Sequence, residues 1–530
     1  MVKNRSTLWY LALLVGWTFD ILYWDKIPGI SFFIHIILIL GTLAWISWKE
    51  EAPPALSSYY LVPIILSFSA LTFLRDEPFT QVLNHLLSIG FLGLLVLSFQ
   101  GGRWYSYTLS DYLVSGFRLA LNMIGLPFKM ITTKDEEGVE GEDAESSPTG
   151  WNRIAPYLRG ILIALPLITI LAALLGEADP IFSEWLKDLI ELLRLEKLPE
   201  YILRLVLISF WAFLAAGALL FALVKSQDEK LVGVDQPWPP RFLGFTETTI
   251  IMGAINLLFF SFVTIQFRYF FGGEKNISLD GYTYSQYARR GFGELLVVAF
   301  FTLFIIMVLS AITKRQSKGN RITFSAMTGA MTVFIGVILV SSLQRLTLYE
   351  SAYGFSRLRT YSHLCILWIG VLFLAILALE IAQKHRYFTL ASLAAVAGFA
   401  LTMNIVNVDS FIIRENIERL EVEEADLDTH FLNTLSSDAT PVLVEMLDDP
   451  VLSDKERSEI ETILACRAFV MHDSERKWQS FTLPEYRARK ALKKNADLWE
   501  DYKVITDDYW NTYVEVGEER FYCNYRYWMD

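Results

Sequence analysis

Residues Phe292–Ile312 read FGELLVVAFFTLFIIMVLSAI, and after Glu294 no charged side chain appears until Lys314. About 20 predominantly apolar residues is the length that crosses a bilayer's hydrocarbon core as a helix. An oversized soluble core does not need an uninterrupted run of this kind. Working outward, the same rule marks Leu8–Tyr23, Pro28–Trp48, Tyr59–Leu74, Val82–Phe99, Arg159–Leu175, Ile202–Val224, Thr246–Phe267, Thr323–Leu343, His363–Ala382 and Phe388–Val408. The expectation is an all-α polytopic bundle of about eleven spans over residues 1–408. A small acidic helical domain is expected over 409–530. Leu109–Ile131 carries Asp111, Arg118 and Lys129 on an apolar pattern and reads as an amphipathic, interfacial helix.

Composition agrees with a membrane location. The 530 residues are 53% hydrophobic and only 20% charged, with a mean hydropathy of +0.36. The net charge of −12 is concentrated in the tail. Residues 409–530 hold roughly −13, which leaves the body near neutral. Nucleic-acid binding needs a basic footprint, and none is present. Three cysteines do not make a disulfide scaffold. Cys365 falls in a span. Cys466 and Cys523 fall in the tail, and whether they pair stays open.

Lys and Arg favour short cytoplasmic loops. Lys3, Arg5, Lys49, the 103–153 region, Lys225, Arg241, Lys314, Arg315, Lys318, Arg321, Lys384 and Arg386 fall on one side of an eleven-span bundle. This places the N-terminus in the cytoplasm and the tail outside the plasma (inner) membrane. The first span lacks a small-residue cleavage site and is read as uncleaved. The acidic, glycine-containing stretch within 132–150 cannot bury apolar surface and is expected to be disordered.

In the tail, Ser436, Ser437 or Asp438 can cap a helix through Leu447, which Pro450 ends. Ser453 and Glu456 have capping-box spacing. Ile460, Ile463, Leu464 and Phe469 form the stripe of the helix that follows. Glu485–Leu498 reads as another helix, and the aromatic stretch Tyr509–Trp528 as a small core.

Polar residues gather at the outer ends of spans. They include Asp20, Arg75-Asp76-Glu77-Pro78 with Asn84 and His85, Ala178–Phe182, Gln266–Gly273, and Thr283–Glu294. The set continues with the connection holding Arg345, Tyr349, Glu350, Tyr353, Arg357 and Arg359, and the exit holding Asn407, Asp409, Arg414, Asn416 and Arg419. Together with Ala164–Pro166, Leu435–Leu447 and Trp478–Leu492, these strings resemble bacterial integral membrane proteins of the domain-of-unknown-function 4173 type, related to the 4153 type. Val408 departs from that pattern, which often has proline before the aspartate. The resemblance implies an inner-membrane protein and brings no catalytic residue with it.

Arginine's planar fork suits carboxylate and phosphate. Arg289, Arg290, Arg345, Arg357, Arg359 and Arg414, interleaved with Tyr349 and Tyr353 and accompanied by Glu294, Glu350 and Asp409, form the candidate site for an anionic or lipid-like ligand. The competing reading is that these arginines pair with nearby carboxylates and lock the loops over the bundle, since charges at membrane depth need partners. Two alternatives stand beside ligand binding or transport. One is a structural or signalling envelope protein with the tail as partner module. The other is an embedded enzyme using Glu294, Glu350 or Asp179 as acid or base. No Walker loop, dinucleotide fingerprint or nucleophile elbow is present, and no cofactor or metal is implied. Glu247, Glu294 and Glu380 are either relay groups or helix-end residues. His35 and His85 read as packing residues. The acidic tail is also expected to dock over the arginine-rich rim.

Overall fold

The computed structural model describes residues 2–132, scattered positions within 164–184, and 197–227, 231, 239–272, 292–422, 427–473, 476–499, 502–506, 512–516 and 519–523. Its long helices are α1 Arg5–Tyr23, α2 Ile30–Lys49, α3 Leu56–Leu74 and α4 Pro78–Leu97. They continue with α5 Leu109–Thr132, α6 Leu198–Leu220, α7 Phe245–Gly272, α8 Phe292–Ile312, α9 Lys318–Tyr353, α10 Arg357–Ile381 and α11 Phe388–Val406. Among the described residues, ten helices are long and apolar enough to cross a membrane, all of these except α5. Trp17, Leu86, Leu205, Leu257, Phe301 and Leu374 stay more than half exposed on their flanks. Large apolar side chains left outward on many helices need hydrocarbon around them, because a soluble surface does not carry such a continuous patch. The chain is a multi-pass membrane protein.

Contacts fix which loops share an end of the bundle. At one end Lys3 N–H donates to Glu50, Ser58 Oγ donates to the Ser98 carbonyl and Gln100 N–H donates to Ser226 Oγ. At the other end Trp24 Nε1 donates to Glu200. Helices α1 and α6 run antiparallel, and a Cβ on Gly16 would sit 2.3 Å from the Ile208 carbonyl oxygen. Only glycine allows that approach. Leu97 therefore ends at the N-terminal end and Leu198 begins at the opposite one. The sequence-read span Arg159–Leu175 lies mostly outside the described residues. So does most of the acidic stretch 132–150.

Two apolar cores fill the bundle. One joins α1–α4 with α6, around Leu8, Ile46, Leu61, Ile65 and Ala216. The other joins α7–α11, around Met252, Ile306, Phe324, Ile335 and Ile376. Helix α9 departs from the span read from sequence as Thr323–Leu343. It continues to Tyr353, 36 residues in all and about 54 Å long, so it outruns the bilayer. Nothing breaks the helix until Gly354, whose φ of +74° ends it. Arg345, Tyr349 and Tyr353 therefore lie at i, i+4 spacing on a helix rather than in a loop.

After α11, Asn407 takes the left-handed conformation and turns the chain directly into α12 Val408–Val422. Among the described residues four tail helices follow: α13 Thr429–Asn433, α14 Thr440–Met446, α15 Asp454–Asp473 and α16 Leu483–Lys494. Their core is separate, built on Leu432, Leu443, Ile460, Ile463, Leu464, Ala488 and Leu492. The capping box is formed: Ser453 N–H and Oγ donate to Glu456, and Glu456 N–H donates back to Ser453 Oγ. Phe469 is 37% exposed and leaves the predicted stripe. Helix α16 stops at Lys494, because Asn495 interrupts what sequence read as continuous to Leu498.

The described residues of the last stretch form strands rather than a helix. Val504–Thr506, Thr512–Val516 and Glu519–Tyr522 form a three-stranded antiparallel meander, β1-β2-β3, as the alternation of Tyr513, Val514 and Glu515 allows. Val514 packs against a Cys466–Cys523 disulfide whose Cα atoms are 5.4 Å apart. The bond ties α15 to the residue after β3 across 57 positions. A loop of that size predicts roughly 4 kcal/mol of stabilisation on the chain-entropy account. With protein taken from its native membrane, maleimide should label Cys466 and Cys523 only after reduction. The reduced tail should become protease-sensitive while the bundle does not. Thiols that label without reductant would contradict the bond.

Candidate functional site

The polar residues at the tail end form a latch between bundle and tail. It starts at the N-terminus of α4. Pro78 occupies the first helical turn, and Glu77 caps the helix by accepting from Phe79 N–H at 3.0 Å and Thr80 N–H at 2.7 Å. The Tyr361 hydroxyl donates to the same carboxylate. Arg357, at the start of α10, lies 4.0 Å from Glu77 and forms a two-pronged pair with Asp409, 2.7 Å on each arm. Asp409 is fully buried and also accepts from Ser436 N–H at 2.7 Å. One carboxylate thus joins α10, α12 and the turn before α14.

A second arm runs through the 75–77 loop. Asp76 N–H donates to Asp438 at 2.7 Å, with Arg75 3.6 Å from the other oxygen of Asp438. Arg75 Nε also donates to the Asn404 carbonyl, and Asn404 and Asn84 exchange side-chain hydrogen bonds at 3.0 and 2.9 Å. Burial pushes the Asp438 carboxyl up from 3.8 to about 7. The Asp76 N–H and Arg75 oppose that rise, while Asp76 and Asp409 add to it. Burial also raises Asp76, against its bond to Ser437 and the pull of Arg476. Two further contacts complete the docking. Ile30 N–H donates to the Phe481 carbonyl at 2.9 Å beside a Lys477–Asp25 ion pair. Asn416 accepts from Phe355 N–H at 2.6 Å and donates to its carbonyl at 3.0 Å.

The remaining predicted residues divide. Arg359 stacks 4.0 Å over Tyr349 and donates to the Tyr353 and Gly354 carbonyls. Arg345 donates to Gln266 at 3.3 Å. Glu350 is buried, 3.0 Å from the His363 ring. Arg414 pairs with Glu445 inside the tail. Glu294 is exposed at the start of α8, and Asp179 accepts from Phe182 N–H. Arg289 and Arg290 lie outside them, as does Gly273.

At the other end a buried cluster surrounds Glu380, which is 0% exposed. Arg315 Nη1 bonds it at 2.5 Å, Ser310 Oγ at 3.2 Å and Ser325 Oγ at 3.4 Å, with the His385 ring 3.0 Å away. Arg315 also lies 4.0 Å over Phe324. Sequence reading counted Arg315 as one of several loop cations and missed the pair. The signal was present: a carboxylate near the end of an apolar run needs a cation at the same depth. The same argument explains Asp20, which α1 buries and which Arg204 of α6 grips from two nitrogens. Glu247 accepts from Gly244 N–H at 2.5 Å, a cap for α7. His35 faces the Tyr23 hydroxyl and His85 the Gln81 carbonyl. No group of three or more metal-binding side chains is gathered among the described residues.

No curated protein and no solved structure matched this chain. Residues 62–446 do match a protein family, described as Domain of unknown function (DUF4153). That stretch runs from α3 to the end of α14 and contains both arms of the latch and the Glu380 cluster. It covers well over half of the 530 residues, so the chain belongs to the DUF4153 family.

Proposed function

We propose that this protein is an inner-membrane envelope protein whose extracytoplasmic tail is its working module, held against the bundle by a titratable latch. The observation that carries this reading is the Arg357–Asp409 and Arg75–Asp438 pairing, which uses the outer-end charges to join tail and bundle. An anionic ligand at Arg345, Arg357 and Arg359 would have to displace Gln266, Asp409 and Tyr349 respectively, so ligand binding there is the weaker reading. The tail disulfide supports an oxidising, extracytoplasmic side. The N-terminus, at the opposite end of the bundle, is then cytoplasmic. Partners of the tail would be met outside the membrane, and their recognition would depend on whether the latch is closed.

The latch makes a pH prediction with a definite sign. Docking raises the Asp438 carboxyl from 3.8 to about 7, so the docked state holds the proton more tightly than the undocked one. This group's contribution to docking is fully present below pH 3.8 and is lost as pH rises through about 7. Asp76 shifts in the same direction. Between pH 5.5 and 7.5 the docking equilibrium should weaken by on the order of tenfold. Hydrogen exchange across 435–447 and 477–481 reads this out. Protection should fall with pH in the natural chain and fall less steeply in Asp438→Asn, where only Asp76 still titrates in this direction. Protection that does not change with pH in the natural chain would overturn the latch.

A further inference from the structure

At the N-terminal end Arg315 is held by Glu380, but Arg241, Lys384 and Arg386 have no carboxylate partner among the described residues. A cleft of about 680 Å³ opens there between α5, α8 and α11, beneath the 239–241 segment. Its volume lies in the range of small-molecule sites. Leu113, Phe304 and Met307 form its apolar wall, while Arg241, Lys384 and Arg386 sit at its rim. Among the described residues no carboxylate lines it. Glu380, near its Ser310 side, is already held by Arg315 and His385, and Asp111 caps its own helix by accepting from Thr108. Arg241, Lys384 and Arg386 are exposed and pair with no carboxylate among the described residues. Arg386 donates to the Tyr387 hydroxyl at 2.7 Å. Leu113 and Phe304 are 66% and 57% exposed, so the apolar wall continues onto the lipid-facing flank.

We infer that this cleft binds an anionic phospholipid of the leaflet at the N-terminal end, with its phosphodiester among Arg241, Lys384 and Arg386 and an acyl chain along Leu113 and Phe304. Each part of the site selects for a part of that molecule. Three cations with no opposing carboxylate among the described residues call for a negative headgroup. An apolar wall open to the bilayer calls for a chain arriving from the bilayer rather than from water. Basic pockets between membrane helices at the cytoplasmic side are the usual seats of acidic headgroups. This site lies at the opposite end of the bundle from the latch and does not depend on it.

The test uses the full chain in mixed micelles holding equal amounts of phosphatidylglycerol and phosphatidylcholine, with bound lipid counted by native mass spectrometry. The natural chain should retain phosphatidylglycerol preferentially. Arg241→Gln with Arg386→Gln should weaken that retention by roughly tenfold, from two lost cations near the headgroup. Arg414→Gln, at the other end, should leave it unchanged. Leu113→Trp should lower retention by filling the cleft. Elution as a single species shows that each variant is folded. Equal retention of the two lipids by the natural chain overturns the proposal without any variant. So does an undiminished preference in the folded double variant. Displacement of phosphatidylglycerol by inorganic phosphate alone would make the ligand a soluble anion and would also overturn it.

Discussion

Asp409→Ala should undock the tail. The substitution leaves the Arg357 guanidinium, with its side chain only 20% exposed, facing Glu77 at 4.0 Å and nothing closer. It also removes the acceptor of Ser436 N–H. Breaking a buried ion pair by deleting one member typically costs about 3–5 kcal/mol, because the remaining charge stays desolvated. The lower part of that range fits here, since Arg357 keeps some access to water. The check is thermal unfolding in detergent together with protease sensitivity of the tail. The melting temperature should fall, and the tail beyond α12 should become protease-sensitive. Arg357→Ala should destabilise as well, and the double variant should cost less than the sum of the two single ones. Additive effects would mean that the two residues do not act as a pair.

Glu380→Ala should have the other large effect, at the opposite end. It leaves Arg315, whose side chain is 5% exposed, without its carboxylate and with only Ser310 as a polar partner. The expected cost is again about 3–5 kcal/mol, here toward the upper part because both members are buried. Glu380→Gln keeps an acceptor and should fall between the natural chain and alanine. Replacing both members with Met should restore much of the loss, because exchanging a whole buried pair for apolar side chains removes the desolvation cost of both. Yield and melting temperature of the purified protein report this order. A relay role for Glu380 would give the reverse pattern, with stability nearly unchanged and only an activity lost.

The membrane class and the ends of most spans were legible in the sequence because each depends on local properties. Phe292–Ile312 appears in the structure with the bounds the sequence suggests, since its length and apolarity alone require a spanning helix. The Ser453–Glu456 cap formed for the same reason: both partners lie within one turn. The candidate site was legible only as a list of residue types. Arg357, Asp409, Arg359 and Tyr349 were all singled out, but the spacing of charges along a chain does not say which are paired. Asp438 was read as a local helix cap, yet its carboxylate reaches Asp76 across 362 positions. Tyr361, Asn404 and His363 were not read as site residues, because each looks like an ordinary polar residue at the edge of a span.

By itself the sequence determined that this chain lives in a bilayer, that its acidity belongs to the tail, and that arginines and carboxylates gather at span ends. Hydrophobicity and charge are properties of residues and survive being read one at a time. Only the tertiary structure decided where those charges go. Antiparallel packing of α1 on α6 gave Asp20 to Arg204, and the turn at Asn407 brought Asp409 to Arg357. Folding of the tail joined Cys466 to Cys523 across 57 positions. Long-range pairing also reversed the significance of the two ends: Phe292–Ile312 carries α8 from the latch, where the charges satisfy one another, to the cleft, where three cations have no carboxylate partner among the described residues.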